Sequence, residues 1–341
     1  MRTLTYEVPS SDDGRQIKYV IRSRLGISHR QLGRLKGCDG MRVNGETVHA
    51  NRVVRTGDRI ELLLEYDGVP DAQPPSEFGA HAPGIAHGPT VPADLPDPEA
   101  QADERELIAR LSPSGSARTR LELAEEIIVY EDSDLLIVDK PAPLPTGASA
   151  HKLGLTLELL LCARYGAAWQ FRPVNRLDKG TSGLMALAHT AHAHHLMQQQ
   201  LHTPEFRRVY RAITQGAPVP ERGRIELPIG RVPGSAVKRC VTAQGRPCVT
   251  HYDTLWSGDG KARVQLELET GRTHQIRVHL AALGCPVYGD FLYGVEEPER
   301  LPGRFALHSH VLMCIQPVTH EQLGFTSELP DELARLLPSR V

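Results

Sequence analysis

The feature that most constrains this chain is a break in its composition. Between residues 67 and 118 the sequence holds Pro-Pro, Pro-Gly and Gly-Pro steps and the run A-D-L-P-D-P from Ala93 to Pro98, with few large apolar residues. Such a stretch cannot bury enough apolar surface to offset the entropy of ordering it. It reads as a flexible linker over 67–120, carrying at most a short helix at E-R-E-L-I-A-R-L from Glu104. The linker divides the 341 residues into a small N-terminal unit, 1–66, and a larger unit, 121–341, each with a globular pattern of its own.

Charge follows the same division. The net charge is −2, yet residues 1–66 carry 12 Lys and Arg against 8 Asp and Glu, while residues 67–126 carry 4 against 12. An acidic middle therefore masks a basic N-terminal unit. That asymmetry fits a polyanionic partner, and a solvated basic surface fits it nearly as well. The six cysteines form no C-x-x-C pair, so the sequence implies idle thiols in a reducing compartment rather than a zinc or redox site. No run of 18 apolar residues and no signal-like N-terminus are present, which makes a cytoplasmic, non-membrane protein the expectation.

In the small unit, Ile17 opens a first helix. A second runs from Ser28, a good N-cap, to a stop at Gly37. Met41–Val48 reads as strand, Asn-Gly turn, strand, and Val53–Leu64 as a turn at Gly57-Asp58 followed by a closing strand. Arg22, Arg24, Arg30, Arg34 and Lys36 all fall on the helical pair, a pattern suited to phosphate contacts, which supply affinity without reading sequence.

The larger unit mixes strands and helices. Ile127–Ala142 contains two short strands about a polar turn, Thr156 and Thr190 cap helices, and Gly183–Ala188 is a buried strand. Val264, Leu266 and Leu268 alternate with polar residues as in a half-buried strand. His274–Gly284 is a helix in which Ile276, Leu280 and Leu283 should face the core. The mixture suggests an α+β protein with an antiparallel or mixed sheet.

Three positions carry chemistry. Asp178 sits in N-R-L-D-K-G-T-S-G-L, just ahead of a buried strand. Asp and Gly suit a turn, but a charged Arg-x-Asp against an apolar strand must be paired or solvated, which makes Asp178 a candidate catalytic carboxylate. Arg277, in T-G-R-T-H-Q-I-R-V-H, is either a surface residue or a rigidly held partner for a carboxylate across a cleft. Tyr210, in F-R-R-V-Y-R-A, shares a strand face with Arg208 and Ala212 and is either core or a platform for a base. Histidines cluster at 192, 194 and 195, but no acidic residue or cysteine accompanies them, so no metal is expected.

Taken together, N-R-L-D-K-G-T-S-G-L, V-Y-R-A, G-R-T-H-Q-I-R-V-H-L-A-A-L-G-C-P-V-Y-G-D, the opening Y-E-D-S-D-L-L-I-V-D-K-P-A and the late F-A-L-H-S-H resemble the ordered motifs of the RluA-type pseudouridine synthases. Residues 17–64, with V-N-G and R-T-G-D, resemble the S-four-type RNA-binding domain often joined to them. The resemblance implies a mixed, largely antiparallel sheet with a cleft, a cofactor-free isomerisation of uridine in ribosomal or transfer RNA, and a monomer. It assigns Asp178 as the catalytic aspartate, Arg277 as its partner, Tyr210 as the active-site tyrosine and Arg176 as the residue that enters the helix as the base leaves. Arg272 and His274 join the RNA-binding set. One departure is Asn175, where the family usually has His; adjusted RNA contacts are the expected consequence.

Overall fold

A computed structural model of the chain describes residues 2–64, 98–147 and 154–338. The small unit contains β1 (Arg2–Glu7), a short 3-10 turn, α1 (Ile17–Arg24), α2 (His29–Gly37), β2 (Met41–Val43), β3 (Glu46–Thr47) and β4 (Arg59–Leu64). Its strands pair antiparallel in the order β1-β4-β2-β3. Ile17, Val20, Ile21, Leu32, Leu35, Ile60 and Leu62 form its core. Local signals place most of these elements. Ser28 and Gln31 make a reciprocal capping box at α2, worth about 1 kcal/mol. Asn44 and Gly45 both take positive φ, as the two-residue hairpin turn requires. The N-terminal strand β1 has no such local signal; it exists because all six of its residues pair along β4.

The larger unit contains α3 (Pro98–Leu111), α4 (Arg120–Glu126), β5 (Ile128–Glu131), β6 (Leu135–Lys140), α5 (Leu157–Tyr165), β7 (Ser182–Ala188), α6 (Ala191–Gln200), β8 (Arg207–Gln215), β9 (Arg222–Ile225), β10 (Ile229–Arg231), β11 (Arg239–Val241), β12 (Thr250–Gly258), β13 (Lys261–Leu268), α7 (Gln275–Ala282), β14 (Leu307–Ile315), β15 (Gln322–Thr326) and α8 (Asp331–Ala334). Nine strands form one sheet in the order β5-β6-β7-β14-β8-β13-β12-β9, with β15 also on β14. Only β7 and β14 run parallel among the described strands, so the sheet is mixed and largely antiparallel, as expected. Strands β10 and β11 form a separate ribbon.

The sheet is apolar on both faces, which is why β7 reads as an unbroken buried run rather than an alternating one. Leu136, Val138, Met185 and Leu187 point into one core with α4, α5 and α7. Leu135, Ile137, Leu184 and Ala186 point into a second core with α6, Phe206 and Leu312. Two expectations need correction. The acidic segment is packed from α3 onward: Ile108 and Leu111 are buried in the main core, and Arg120 holds Glu104 through two hydrogen bonds of 2.6 and 2.8 Å. A helix with an apolar stripe can dock even where the surrounding composition is poor in large apolar residues. The rest of the expected linker, 67–97, lies outside the described residues. Leu283 is exposed rather than buried, because α7 ends before it and Gly284 turns the chain away with φ +76°.

Candidate active site

The loop between α5 and β7 carries Asp178 and is pinned along its length. Val174 N–H donates to Ala186 O at 2.8 Å, Leu177 O accepts from Thr146 Oγ1 at 2.7 Å, and Lys179 O accepts from Leu144 N–H at 3.0 Å. Asn175 belongs to the same anchoring: it is buried, and its Oδ1 accepts from Ala186 N–H at 2.9 Å. Its carbonyl is thus committed to holding the loop on β7 rather than to RNA, because a buried strand N–H needs an acceptor. Asp178 stands between two fixed points, with its side chain 27% exposed.

Across from it, α7 presents Arg277, whose side chain is 2% exposed. Nε and Nη2 of Arg277 donate to Oδ2 and Oδ1 of Asp290 at 2.7 and 2.8 Å, and Nη1 donates to Asp178 Oδ2 at 2.9 Å. Asp290 is fully buried and also accepts from the backbone N–H groups of Leu292 and Tyr293. The rings of Phe305, Tyr293 and Phe291 surround the guanidinium at 4.1, 5.0 and 5.6 Å. Burial works against the charge on Arg277, but its hydrogen bonds to Asp290 and the two carboxylate charges outweigh it and raise its pKa above the ordinary arginine range. The result is a rigid cation with one donor committed to Asp178.

His274 caps α7 in the left-handed region, φ 58°. Its Nδ1 lies 2.8 Å from the Tyr293 hydroxyl, which also accepts from Arg239 N–H at 2.9 Å. The hydroxyl thus ties the imidazole ring to the backbone at Arg239 and fixes its orientation. Nε2 faces Asp178 Oδ2 at 3.9 Å. Burial lowers the pKa of His274 and Asp178 partly opposes it.

Tyr210 is 5% exposed on β8, and burial raises its phenol pKa. Asp178, Arg277, Tyr210, Arg176, Arg272, His274 and Arg208 all line one cleft of about 730 Å³. Arg176 is exposed beside Asp178. Arg272 donates to Pro247 O at 3.3 Å and is half-buried at the rim. The structure therefore brings together every candidate from the larger unit. On the small unit, Arg22, Arg34 and Lys36 are exposed. Arg24 is committed instead to the buried Asp12, at 2.8 Å, since a buried carboxylate demands a partner. The side chain of Arg30 lies outside the described set.

A family model described as RNA pseudouridylate synthase matches residues 134–282. An uncharacterised RNA pseudouridine synthase of Bacillus subtilis, YhcT, is 31% identical over 98% of this chain and 96% of its own length. The chain belongs to the RNA pseudouridine synthases, in the RluA-type family. A second Bacillus subtilis synthase, YjbO, is 32% identical over 92% of this chain and 95% of its own. The ribosomal large subunit pseudouridine synthase D of Neisseria meningitidis is 38% identical over 62% of this chain and 60% of its own. Among solved structures, human RNA pseudouridylate synthase domain containing 4 superposes with TM-score 0.51 at 26% identity, covering 63% of this chain and 94% of that one.

Sequence reasoning missed three residues of this synthase's cleft and its support. Asp290 closes the motif that contains Arg277 and could have been found there as the acidic end of a conspicuous G-D. Tyr293 had no local signal, and Arg208 was placed only as a strand-face neighbour of Tyr210, because the roles of both depend on what the fold brings against them. Among the described residues no group of three His, Cys, Asp or Glu is placed to hold a metal. His194 bonds Pro173 O, and His279 bonds Thr250 and Leu227 O. No described helix is long and apolar enough to cross a membrane.

Proposed function

We propose that this synthase isomerises specific uridines in structured RNA, large-subunit ribosomal RNA first and transfer RNA second, with Asp178 as the catalytic carboxylate. The observation that carries the reading is the three-way pairing in which buried Asp290 fixes Arg277 and Arg277 holds Asp178 Oδ2. The substrate class is supported by relatives named ribosomal large subunit pseudouridine synthase D in three bacteria.

The reaction breaks the bond from ribose C1′ to uracil N1 and joins C1′ to C5; C5 then loses its proton and N1 gains one, so the product is an isomer of the substrate. Asp178 acts either by attacking C1′ or by taking a sugar proton to give a glycal, with Arg277 Nη1 holding Oδ2 in place at 2.9 Å. Among the described residues Oδ1 of Asp178 accepts no hydrogen bond, so one oxygen is held and the other is free for the sugar. Asp290 does not act as a second carboxylate of the glycosidase kind, because it is sealed behind Arg277. The uridine must leave its stack to reach this cleft, at a cost of a few kcal/mol. Arg176, exposed at the mouth, fills the gap it leaves, and Tyr210 packs against the uracil.

Asp178→Asn tests this directly. Pseudouridine formation on RNA from cells lacking the protein should vanish while RNA affinity stays within a few-fold, since phosphate contacts supply most affinity. Substantial conversion by that variant overturns the assignment. Mapping pseudouridines in the same RNA before and after treatment with wild-type protein identifies the substrate, and conversion confined to neither ribosomal nor transfer RNA would contradict the substrate class.

A further inference from the structure

Three described arginines are buried in this protein: Arg208, Arg277 and Arg304. Two of them have carboxylate partners. Arg277 holds Asp290 and Asp178, and Arg304 holds Glu332. Arg208 has no ion pair among the described residues, although it is only 4% exposed. Its Nε and Nη2 are buried without a hydrogen-bond partner. Its guanidinium carbon lies 5.6 Å from the centre of the Phe206 ring, and a Cβ at Gly271 would come within 3.0 Å of Nη1, so the glycine leaves room for it. Its neighbour Arg207, on the opposite and exposed face of β8, is paired through two hydrogen bonds to Glu267.

An unpaired buried cation is costly to keep. Burial lowers the pKa of Arg208, but a guanidinium does not give up its proton in a protein. The charge therefore waits for an anion, and its location says which one. Arg208 precedes Tyr210 by two residues on β8, so both side chains leave the same face. Both line the cleft that holds Asp178. A uridine entering that cleft brings its own phosphodiesters with it, and a guanidinium binds a phosphate through two parallel hydrogen bonds.

We propose that Arg208 is a phosphate-binding residue inside the cleft, taking a phosphodiester that adjoins the target uridine. This rests on the reading that the cleft receives that uridine. It differs from the rim contacts of Arg176 and Arg272 because it forms only when the nucleotide is fully seated. Arg208 thereby couples binding of the strand to seating of the base.

The test is phosphate-ethylation interference. Total RNA from cells lacking the protein is ethylated with ethylnitrosourea and selected by binding to Asp178→Asn protein, with and without Arg208→Met. Wild-type protein maps the converted uridine separately. With Arg208 present, ethylation of one phosphate adjoining that uridine should exclude RNA from the bound fraction. With Arg208→Met added, discrimination at that phosphate should disappear. RNA affinity should fall roughly tenfold, and the dependence of log affinity on log salt should become shallower by about 0.7. Arg208→Lys should retain part of the discrimination. The melting temperature of RNA-free Arg208→Met should be unchanged or higher, because an unpaired buried charge has been removed. An identical ethylation pattern with and without Arg208 overturns the proposal, and so does a melting temperature several degrees lower with that pattern kept, which marks a packing role. Because the readout is binding, it stands apart from whether Asp178→Asn abolishes conversion.

Discussion

Asp290 does not line the cleft, yet it decides where Arg277 points. It supplies both oxygens to the guanidinium and is itself held by two backbone N–H groups. Removing its charge leaves a buried arginine with only the partly exposed Asp178 as counter-ion. Breaking one side of a buried pair costs about 3–5 kcal/mol, and a misplaced catalytic group costs on the order of a hundredfold in rate. Asp290→Asn should therefore melt several degrees lower and convert RNA on the order of a hundredfold more slowly under single-turnover conditions, with RNA affinity little changed. A folded Asp290→Asn protein with wild-type turnover would show that the orientation of Arg277 is immaterial. At this scale the sequence singled out Asp178, Tyr210 and Arg277, each within a motif, and the fold brings all three to one cleft. The sequence placed Arg208 beside Tyr210 but not its lack of a partner, and it was silent on Tyr293, because an orphaned charge or a hydroxyl shared between His274 and Arg239 N–H exists only after folding.

The seam between β7 and β14 is the element on which the cleft depends, since it joins the strand after the Asp178 loop to the strand beside Tyr210. Gly183 sits at that seam with φ +107°, and a Cβ there would lie 2.3 Å from Ser309 O. Backbone this close cannot yield, so Gly183→Ala should destabilise by at least ~3 kcal/mol in urea unfolding, at the upper end of overpacking costs. A loss below about 1 kcal/mol, the low end of those costs, would mean that the seam can open. His308 lies on the same seam, with Nδ1 2.9 Å from Ser182 Oγ and Nε2 3.0 Å from Ser327 O. Burial pushes its pKa down from 6.5 to about 4. Between those values the unfolded chain binds a proton that the folded chain refuses, so its contribution is complete above pH 6.5 and is lost as pH falls toward 4. The loss is on the order of 3 kcal/mol. The stability difference between wild type and His308→Gln should shrink over that window; a difference independent of pH would sink the account. Strands with strong alternation or unbroken burial, such as β7 and β13, were legible. The short β9, β10 and β11 were not, because so few residues carry no period and their pairing depends on distant partners.

At the scale of the whole molecule, composition pointed to a small basic unit and a larger one, whereas it gave no hint of the strand order. Placing β14 between β7 and β8 brings together segments far apart in the chain, and no local pattern records such a pairing. The two units have separate cores and, in our reading, separate tasks. The cleft supplies the groups that act on one nucleotide, while Arg22, Arg34 and Lys36 offer exposed charge on α1 and α2. Charge of that kind adds affinity for any RNA backbone and its effect is screened by salt. Removing residues 1–64 should therefore weaken RNA binding and flatten its salt dependence by roughly 0.7–0.9 for each phosphate no longer neutralised. Conversion of RNA already bound, measured at saturating protein, should stay within a few-fold of the full chain. The triple change Arg22→Ala, Arg34→Ala and Lys36→Ala should reproduce most of the drop in affinity without truncation. If instead the truncated protein binds as tightly and with the same salt slope, the helical pair contributes nothing to RNA binding, and the affinity must come from the rim of the cleft, where Arg176 and Arg272 stand.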